Sequence, residues 1–261
     1  MPSIHRTTLH QRPDLHAPAR PTFSIIIPVL QEQKSIHQVI SNLMQQPAID
    51  RSEIIVIDGD PMGSTLKAVN SSMIAKLISS PGRAVQMNAG AAQAKGRVLL
   101  FLHADTQLPD NALLSIERAL ANPCIVGGAF ELSIASQRLF LKYIACRANM
   151  RTRTNRIPYG DQAIFLKKPI FDEMGGYRPL PIMEDLDLMR RLKKGRHKIS
   201  ILRDRVQTSA RRWEAEGALY TTLRNQLLVL LYYLGVSPDK LARLYRPQCT
   251  LKNSQAHKAE P

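Results

Sequence analysis

Unbroken apolar runs alternate along this chain with stretches in which apolar residues recur at helical spacing, and that alternation sets the expected fold. Phe23 to Val29 is a β-branched run with Pro28 near its end, where a missing backbone donor is tolerated, and it predicts a first strand. Ile36, Val39, Ile40 and Leu43 then repeat at helical spacing before Pro47, and Glu53 to Ile57 predicts a second strand ending at Asp58-Gly59-Asp60. Strand, helix and strand in so short a span make a βαβ unit, whose crossover is right-handed. A short helix from Ser64-Thr65 leads to a third strand at 74–78, and Pro81-Gly82-Arg83 breaks the chain. Residues 84–94 predict a helix of small side chains, lying tight on the sheet or keeping its surface low beside a ligand, the first being the simpler reading. Five apolar residues in succession, Val98 to Leu102, cannot all face one side, so they predict a strand covered on both faces of a mostly parallel α/β sheet.

The pattern continues with a helix over 109–120 and a strand over 125–134. Gly127 and Gly128 in that strand mark a bulge or the close approach of a ligand or another backbone. A basic helix carrying Arg147, Arg151, Arg153 and Arg156 precedes the turn Pro158-Tyr-Gly-Asp-Gln162 and a strand over 163–167. Leu186, Met189 and Leu192 then share one face of a helix that begins at Glu184-Asp185, and 198–202 predicts a last strand. Ser209-Ala-Arg-Arg-Trp213 closes the compact region. The expected organisation is a basic arm over 1–22, an α/β domain over 23–215, a helical extension over 216–247 and a flexible tail over 248–261.

Composition narrows the class. The 261 residues carry 44% hydrophobic side chains, enough for a sizeable core, and a formal charge of +15 that favours anionic partners. Three cysteines without a CxxC pair argue against a zinc site or a disulfide framework, and so for a reducing, cytoplasmic setting. Aromatic residues make up only 5%, and with no nucleic-acid-binding motif a nucleic-acid partner is not expected. The apolar run 227–234 falls well short of the roughly 18 residues a membrane span needs. It predicts a helix packed onto the domain, with peripheral contact at the inner face of the cell membrane as the alternative.

The candidate chemistry gathers around strand ends. Ligands of open α/β sheets bind at the carboxyl ends of strands, so Asp105, where the fourth strand leaves the core, can reach a phosphate or a metal; a helix cap is the competing use. The carboxylates Glu184 and Asp185 start a helix, where they also serve its dipole. In order along the chain, Ile-Ile-Ile-Pro-Val-Leu-Gln-Glu (25–32), Val-Ile-Asp-Gly-Asp (56–60), His-Ala-Asp (103–105) and Glu-Asp (184–185) resemble the family-2 nucleotide-sugar glycosyltransferases of the GT-A fold. The segments Gly-Arg-Ala-Val-Gln-Met-Asn-Ala-Gly-Ala (82–91), Gly-Gly-Ala-Phe (127–130), Tyr-Gly-Asp-Gln (159–162) and Ser-Ala-Arg-Arg-Trp (209–213) are similar to the arsenosugar-biosynthesis subgroup.

The resemblance implies an inverting, metal-assisted, non-processive transfer from a nucleoside diphosphate sugar to a small-molecule or lipid hydroxyl. It places Pro28, Glu32, Asp58, Arg83 and Asp105 around the nucleotide sugar. Asp105 and His103 become ligands of Mn²⁺ or Mg²⁺, although His103 stands where the family's DxD motif has a carboxylate and suits Mg²⁺ poorly. Asp185 becomes the base that takes the acceptor's proton, with Glu184 beside it. Gly128, Asp161, Gln162, Arg212 and Trp213 fall on the acceptor side, and the missing Gln before Arg212-Trp213 separates the chain from processive relatives. A sugar-nucleotide nucleotidyltransferase is one alternative, and a non-catalytic nucleotide- or nucleic-acid-binding protein is another.

Overall fold

In the computed structural model, which describes residues 21–245, the first half of the chain is a series of strands and crossing helices. It runs β1 (Phe23–Val29), α1 (Ile36–Met44), β2 (Ser52–Asp58), α2 (Ser64–Ala68), β3 (Ile74–Ile78), α3 (Arg83–Gln93) and β4 (Val98–Phe101). The second half runs β5 (Thr106–Gln107), α4 (Ala112–Leu120), β6 (Ile125–Ala135), α5 (Leu139–Asn155), β7 (Phe165–Lys167), α6 (Lys168–Glu173), α7 (Glu184–Lys194), β8 (Lys198–Ser209), α8 (Arg211–Glu216), α9 (Ala218–Tyr233) and α10 (Pro238–Tyr245). All but the last two residues of the expected basic arm, and the whole expected tail 248–261, lie outside the described residues.

One eight-stranded sheet has the order β3-β2-β1-β4-β7-β6-β8-β5, and its first four strands are parallel. This is the mostly parallel GT-A-like sheet with flanking helices that the sequence predicts. β1 shows why the apolar runs are unbroken. Ile25, Ile27 and Val29 pack into one core layer with α1, α4 and α5, while Ile26 packs into the other with α3 and α7. Because β2 and β4 flank β1, the crossover direction reverses there, and a crevice opens at the carboxyl ends of β1 and β4.

The small residues of α3 serve close packing. A Cβ on Gly90 would lie 2.7 Å from Ile26 Cγ2 and 2.7 Å from Ile57 Cδ1, both on fully buried side chains. The Gln86 amide fixes the helix over the strand ends, donating to Val29 O at 2.7 Å and Ile57 O at 2.8 Å. Gly90→Ala is therefore expected to destabilise the chain by about 1–2 kcal/mol, because overpacking outweighs alanine's helix preference. A lower urea midpoint with unchanged slope is the readout.

Two features depart from the pattern read along the sequence. The last strand extends beyond 202 to Ser209, because Arg203 and Asp204 bulge out between the pairs Phe130–Leu202 and Glu131–Arg205, after which pairing resumes. The turn after β4 also contains β5, only two residues long, which pairs antiparallel with β8 at the opposite edge of the sheet order. Since β4 and β5 are separated by only four residues, the β4-β7-β6-β8-β5 half of the sheet curls until its β5 edge returns to the end of β4, and residues 102–105 bridge the seam.

Candidate active site

The seam opens into a cleft of about 200 Å³, where His103 and Asp105 meet Arg83, Asp161, Asp185 and Arg212. Each side chain comes from the end of an element. Arg83 begins α3, Asp161 sits in a 3₁₀ turn (Gly160–Gln162), Asp185 lies in the first turn of α7, and Arg212 and Trp213 follow β8 in α8. Asp105 caps no helix: α4 starts at Ala112 behind Asn111, and Asp105 instead anchors its turn by accepting the Ser209 N–H at 3.1 Å through its backbone carbonyl. Gln31, Ala163 and Met183 hold left-handed backbones in the loops beside the cleft, at φ of 57°, 48° and 66°. Such strain persists only where the surrounding structure fixes it.

Asp185 is held in place by two N–H groups: Oδ2 accepts from Gly160 at 2.5 Å and Oδ1 from its neighbour Leu186 at 2.7 Å. Gly160 must be small, since a Cβ there would lie 2.9 Å from His103 Nε2 and 3.3 Å from Asp185 Oδ2. Glu184 points elsewhere. Its buried carboxylate meets the Arg83 Nε–H at 2.7 Å through Oε1, while Oε2 has no hydrogen-bond partner among the described residues. Burial pushes the Glu184 carboxyl up, and the Glu184 charge in turn holds the Arg83 guanidinium protonated. Of the adjacent carboxylates, Asp185 faces the cleft and Glu184 braces Arg83 at its wall.

Burial, reinforced by the charges of Arg83 and Arg212, pushes the His103 imidazole down to about 3 and keeps it neutral, the form that can ligate a metal. Burial and the nearby Glu32 charge raise the Asp105 carboxyl, against the pull of Arg211 and Arg212. Among the described residues, no three His, Cys, Asp or Glu side chains gather into a closed metal site. His103 and Asp105 are thus two donors on one cleft wall, fitting a cation that takes its other ligands from phosphate and water.

Asp161 inverts the usual carboxylate linkage. Burial first, then the Asp185 charge, pushes its carboxyl up to about 6, while Arg151 opposes the shift. Protonation therefore favours the folded chain. The linked stability is fully present below the unfolded value of 3.8 and is lost as pH rises through about 6. Asp161→Asn is expected to exceed the parent chain in stability by roughly 2–3 kcal/mol near pH 8, with the gap closing near pH 4. Urea midpoints of both proteins across that range provide the check.

Other residues singled out in the sequence are placed differently. The Asp58 side chain is fully buried, and its oxygens accept N–H groups from Asp60 at 2.9 Å and from Thr65 and Leu66 at 2.9 and 3.3 Å, so it shapes the 59–63 loop from below the cleft surface. Pro28 lies inside β1. Glu32 stands beside the cleft, bridging to Arg211 at 2.9 Å. Gln162 is buried, tying its turn to Thr152 and to Phe130 O, and Gly128 is walled in by Ser200 and Phe165. The apolar run 227–234 supplies Leu228 and Val229 to the cleft, its flank supplies Asn225, and Tyr245 of α10 closes on Arg212. Arg151 lies over the Tyr159 ring at 3.4 Å from its centroid. Nothing local in the sequence marks this wall, because it forms only when α9 and α10 pack against the rest of the chain.

Among solved structures, the mannosyltransferase PcManGT from Pyrobaculum calidifontis, in complex with GDP-Man and Mn²⁺, matches with a TM-score of 0.60 at 18% identity, over 87% of this chain and 69% of that one. TarS 1–349 from S. aureus, in complex with UDP, matches with a TM-score of 0.54 at 15% identity, over 72% of this chain and 60% of that one. A longer S. aureus TarS chain matches with a TM-score of 0.55 at 14% identity, over 86% and 42%. This chain thus spans less than two thirds of either TarS chain, and at these identities the likeness is one of fold. No curated protein matches. A curled, mostly parallel sheet with its cleft at the β1/β4 switch point is the scaffold of GT-A glycosyltransferases. The sequence profile of Glycosyl transferase family 2 covers residues 24–181, and the chain belongs to that family. The profile stops before Glu184, so Glu184, Asp185 and Arg212-Trp213 stand on their geometry.

Proposed function

We propose that this nucleotide-sugar glycosyltransferase moves one sugar unit, with inversion, from a nucleoside diphosphate sugar to the hydroxyl of a small-molecule or lipid acceptor. The observation that carries this reading is the placement of Asp185, hydrogen-bonded and oriented, in the same cleft as His103, Asp105 and two arginines. An acceptor hydroxyl is a poor nucleophile until a positioned carboxylate takes its proton, and Asp185 is so positioned. Arg83 and Arg212 face the charge that grows on the departing diphosphate, which is where fixed cations lower a barrier most. Asp105 and neutral His103 would hold Mn²⁺, or less readily Mg²⁺, which when bound adds Lewis-acid neutralisation of that diphosphate. Asp58 acts through the loop it shapes, and Trp213 walls the acceptor side. Residues 23–215 form the catalytic domain in this reading, with 216–245 completing its cleft. The arsenosugar subgroup rests on the sequence segments alone, as does the cytoplasmic setting.

The donor is tested by thermal shift with UDP, GDP, CDP and dTDP, each with and without Mn²⁺. One diphosphate is expected to raise Tm, and more so with the metal. Hydrolysis or transfer from the matching sugar nucleotide should follow. If no diphosphate binds under either condition and no activated sugar is consumed, the proposal fails.

A further inference from the structure

The helix that lines the cleft with one side leaves its other side bare. In α9, Leu228 and Thr221 are buried, yet Leu219, Leu223, Leu227, Leu230 and the following Leu234 are each more than half exposed, from 53% at Leu227 to 71% at Leu234. Their spacing keeps all five on one stripe of the helix, and no charged residue interrupts it. α5, which touches α9, repeats the arrangement: Leu139, Tyr143, Cys146 and Met150 recur at helical spacing and are exposed. A surface helix normally turns polar residues outward, so two neighbouring helices with apolar outer stripes mark an interaction surface.

Charge selects the occupant. Leu139–Asn155 contains Lys142, Arg147, Arg151 and Arg153 and no acidic residue, and Ala218–Tyr233 contains Arg224 and no acidic residue. Arg153 and Arg224 are engaged with Glu131 and Glu216, and Arg151 with Tyr159, but Lys142 and Arg147 stand exposed among the apolar side chains of α5. Two copies pressed together through these faces would bring Lys142 and Arg147 against their equivalents, with no acid on either helix to neutralise them. An anionic bilayer supplies both what the leucines and what the basic residues lack: an apolar layer just beneath a negative surface.

We propose that the outer faces of α9 and α5 dock this protein in the plane of an anionic lipid bilayer, with the leucine stripe below the headgroups. The cleft wall formed by Asn225, Leu228 and Val229 then stands directly above the membrane surface. The docking holds whatever sugar or acceptor the cleft takes.

The test is sedimentation of the full-length chain with vesicles of phosphatidylcholine alone and of equimolar phosphatidylcholine and phosphatidylglycerol. The chain is expected to pellet with the anionic vesicles and to remain largely in solution with the neutral ones. The triple variant Leu223→Asp, Leu227→Asp, Leu230→Asp should weaken binding by about tenfold or more. The pair Lys142→Glu, Arg147→Glu should abolish the anionic preference, a loss of roughly tenfold or more. Because all five positions are exposed, an unchanged melting temperature shows that a loss of binding is not a loss of folding. Failure to pellet with either vesicle overturns the proposal, and so does equal binding to both. A dimer in solution that ignores vesicles and dissociates in the leucine variant assigns the surface to a second copy instead.

Discussion

Asp185→Asn is expected to lower the turnover of sugar transfer by about 10²–10⁴-fold while leaving nucleoside diphosphate affinity nearly unchanged. The substitution keeps the size of the side chain. Its carbonyl oxygen can still accept the Gly160 N–H, so the contact that orients residue 185 survives. What disappears is the carboxylate that, in the proposed mechanism, takes the proton from the acceptor hydroxyl as the new bond forms. If Arg83 and Arg212 meet the diphosphate as proposed, donor binding should hold in a thermal-shift titration while initial rates collapse. Equal loss of binding and turnover would show instead that Asp185 organises the donor site, and the role of base would then need another carboxylate. Asp161 is one candidate, since it lines the same cleft and the Asp185 charge already bears on it.

Arg83→Ala is expected to strike function and stability together, and a second substitution separates the two. The Glu184 side chain is 3% exposed and Arg83 is its ion-pair partner at 2.7 Å. Deleting the guanidinium leaves a buried carboxylate without its counter-charge, a change that costs about 3–5 kcal/mol when both partners are deeply buried. Here the Arg83 side chain is 43% exposed, so solvent softens the loss to about 1–3 kcal/mol, or a fall in Tm on the order of 5 °C. Adding Glu184→Gln removes the stranded charge and should restore most of the melting temperature. It cannot restore donor affinity, because the cleft still lacks its cation. Recovery of both in the double variant would show that Arg83 is purely a structural partner of Glu184.

How legible the molecule was from its sequence depended on how local each signal is. β1, β2 and β4 announce themselves because burial on both faces demands unbroken apolar runs, and α3 because close approach to Ile26 and Ile57 demands small residues. β8 was read too short because pairing resumes after the charged bulge at Arg203 and Asp204, and a run of charges resembles a strand's end. β5 is too brief to leave a pattern at all.

The cleft divides in the same way. Asp105, Asp185 and His103 lie immediately after or at the start of regular elements, where position along the chain predicts position in space. Asp58 was legible as a strand-end carboxylate, but nothing in its neighbourhood disclosed that three backbone N–H groups occupy it. Glu184 and Asp185 were told apart only through the family resemblance, since adjacent residues on a helix point about 100° apart and only the tertiary fold decides which one meets the cleft. The wall formed by Asn225 and Tyr245 depends on α9 and α10 folding back over the sheet, a long-range event with no local mark.

The seam between β4 and β5 also bears on the order in which the molecule is built. The turn that presents His103 and Asp105 is made early in synthesis, yet its partners come a hundred residues later: Thr106 meets Thr208 through their hydroxyls, Asp105 O receives the Ser209 N–H, and Glu32 is reached by Arg211 across 179 positions. Non-local pairing of this kind is slow, because loop closure must precede any return in contacts. The parallel half from β1 to β4 has its own crossovers and can collapse while the rest of the chain is still emerging from the ribosome. The turn that carries His103 and Asp105 is therefore among the last parts to settle, and throughout synthesis the β5 segment stands unpaired until β8 arrives.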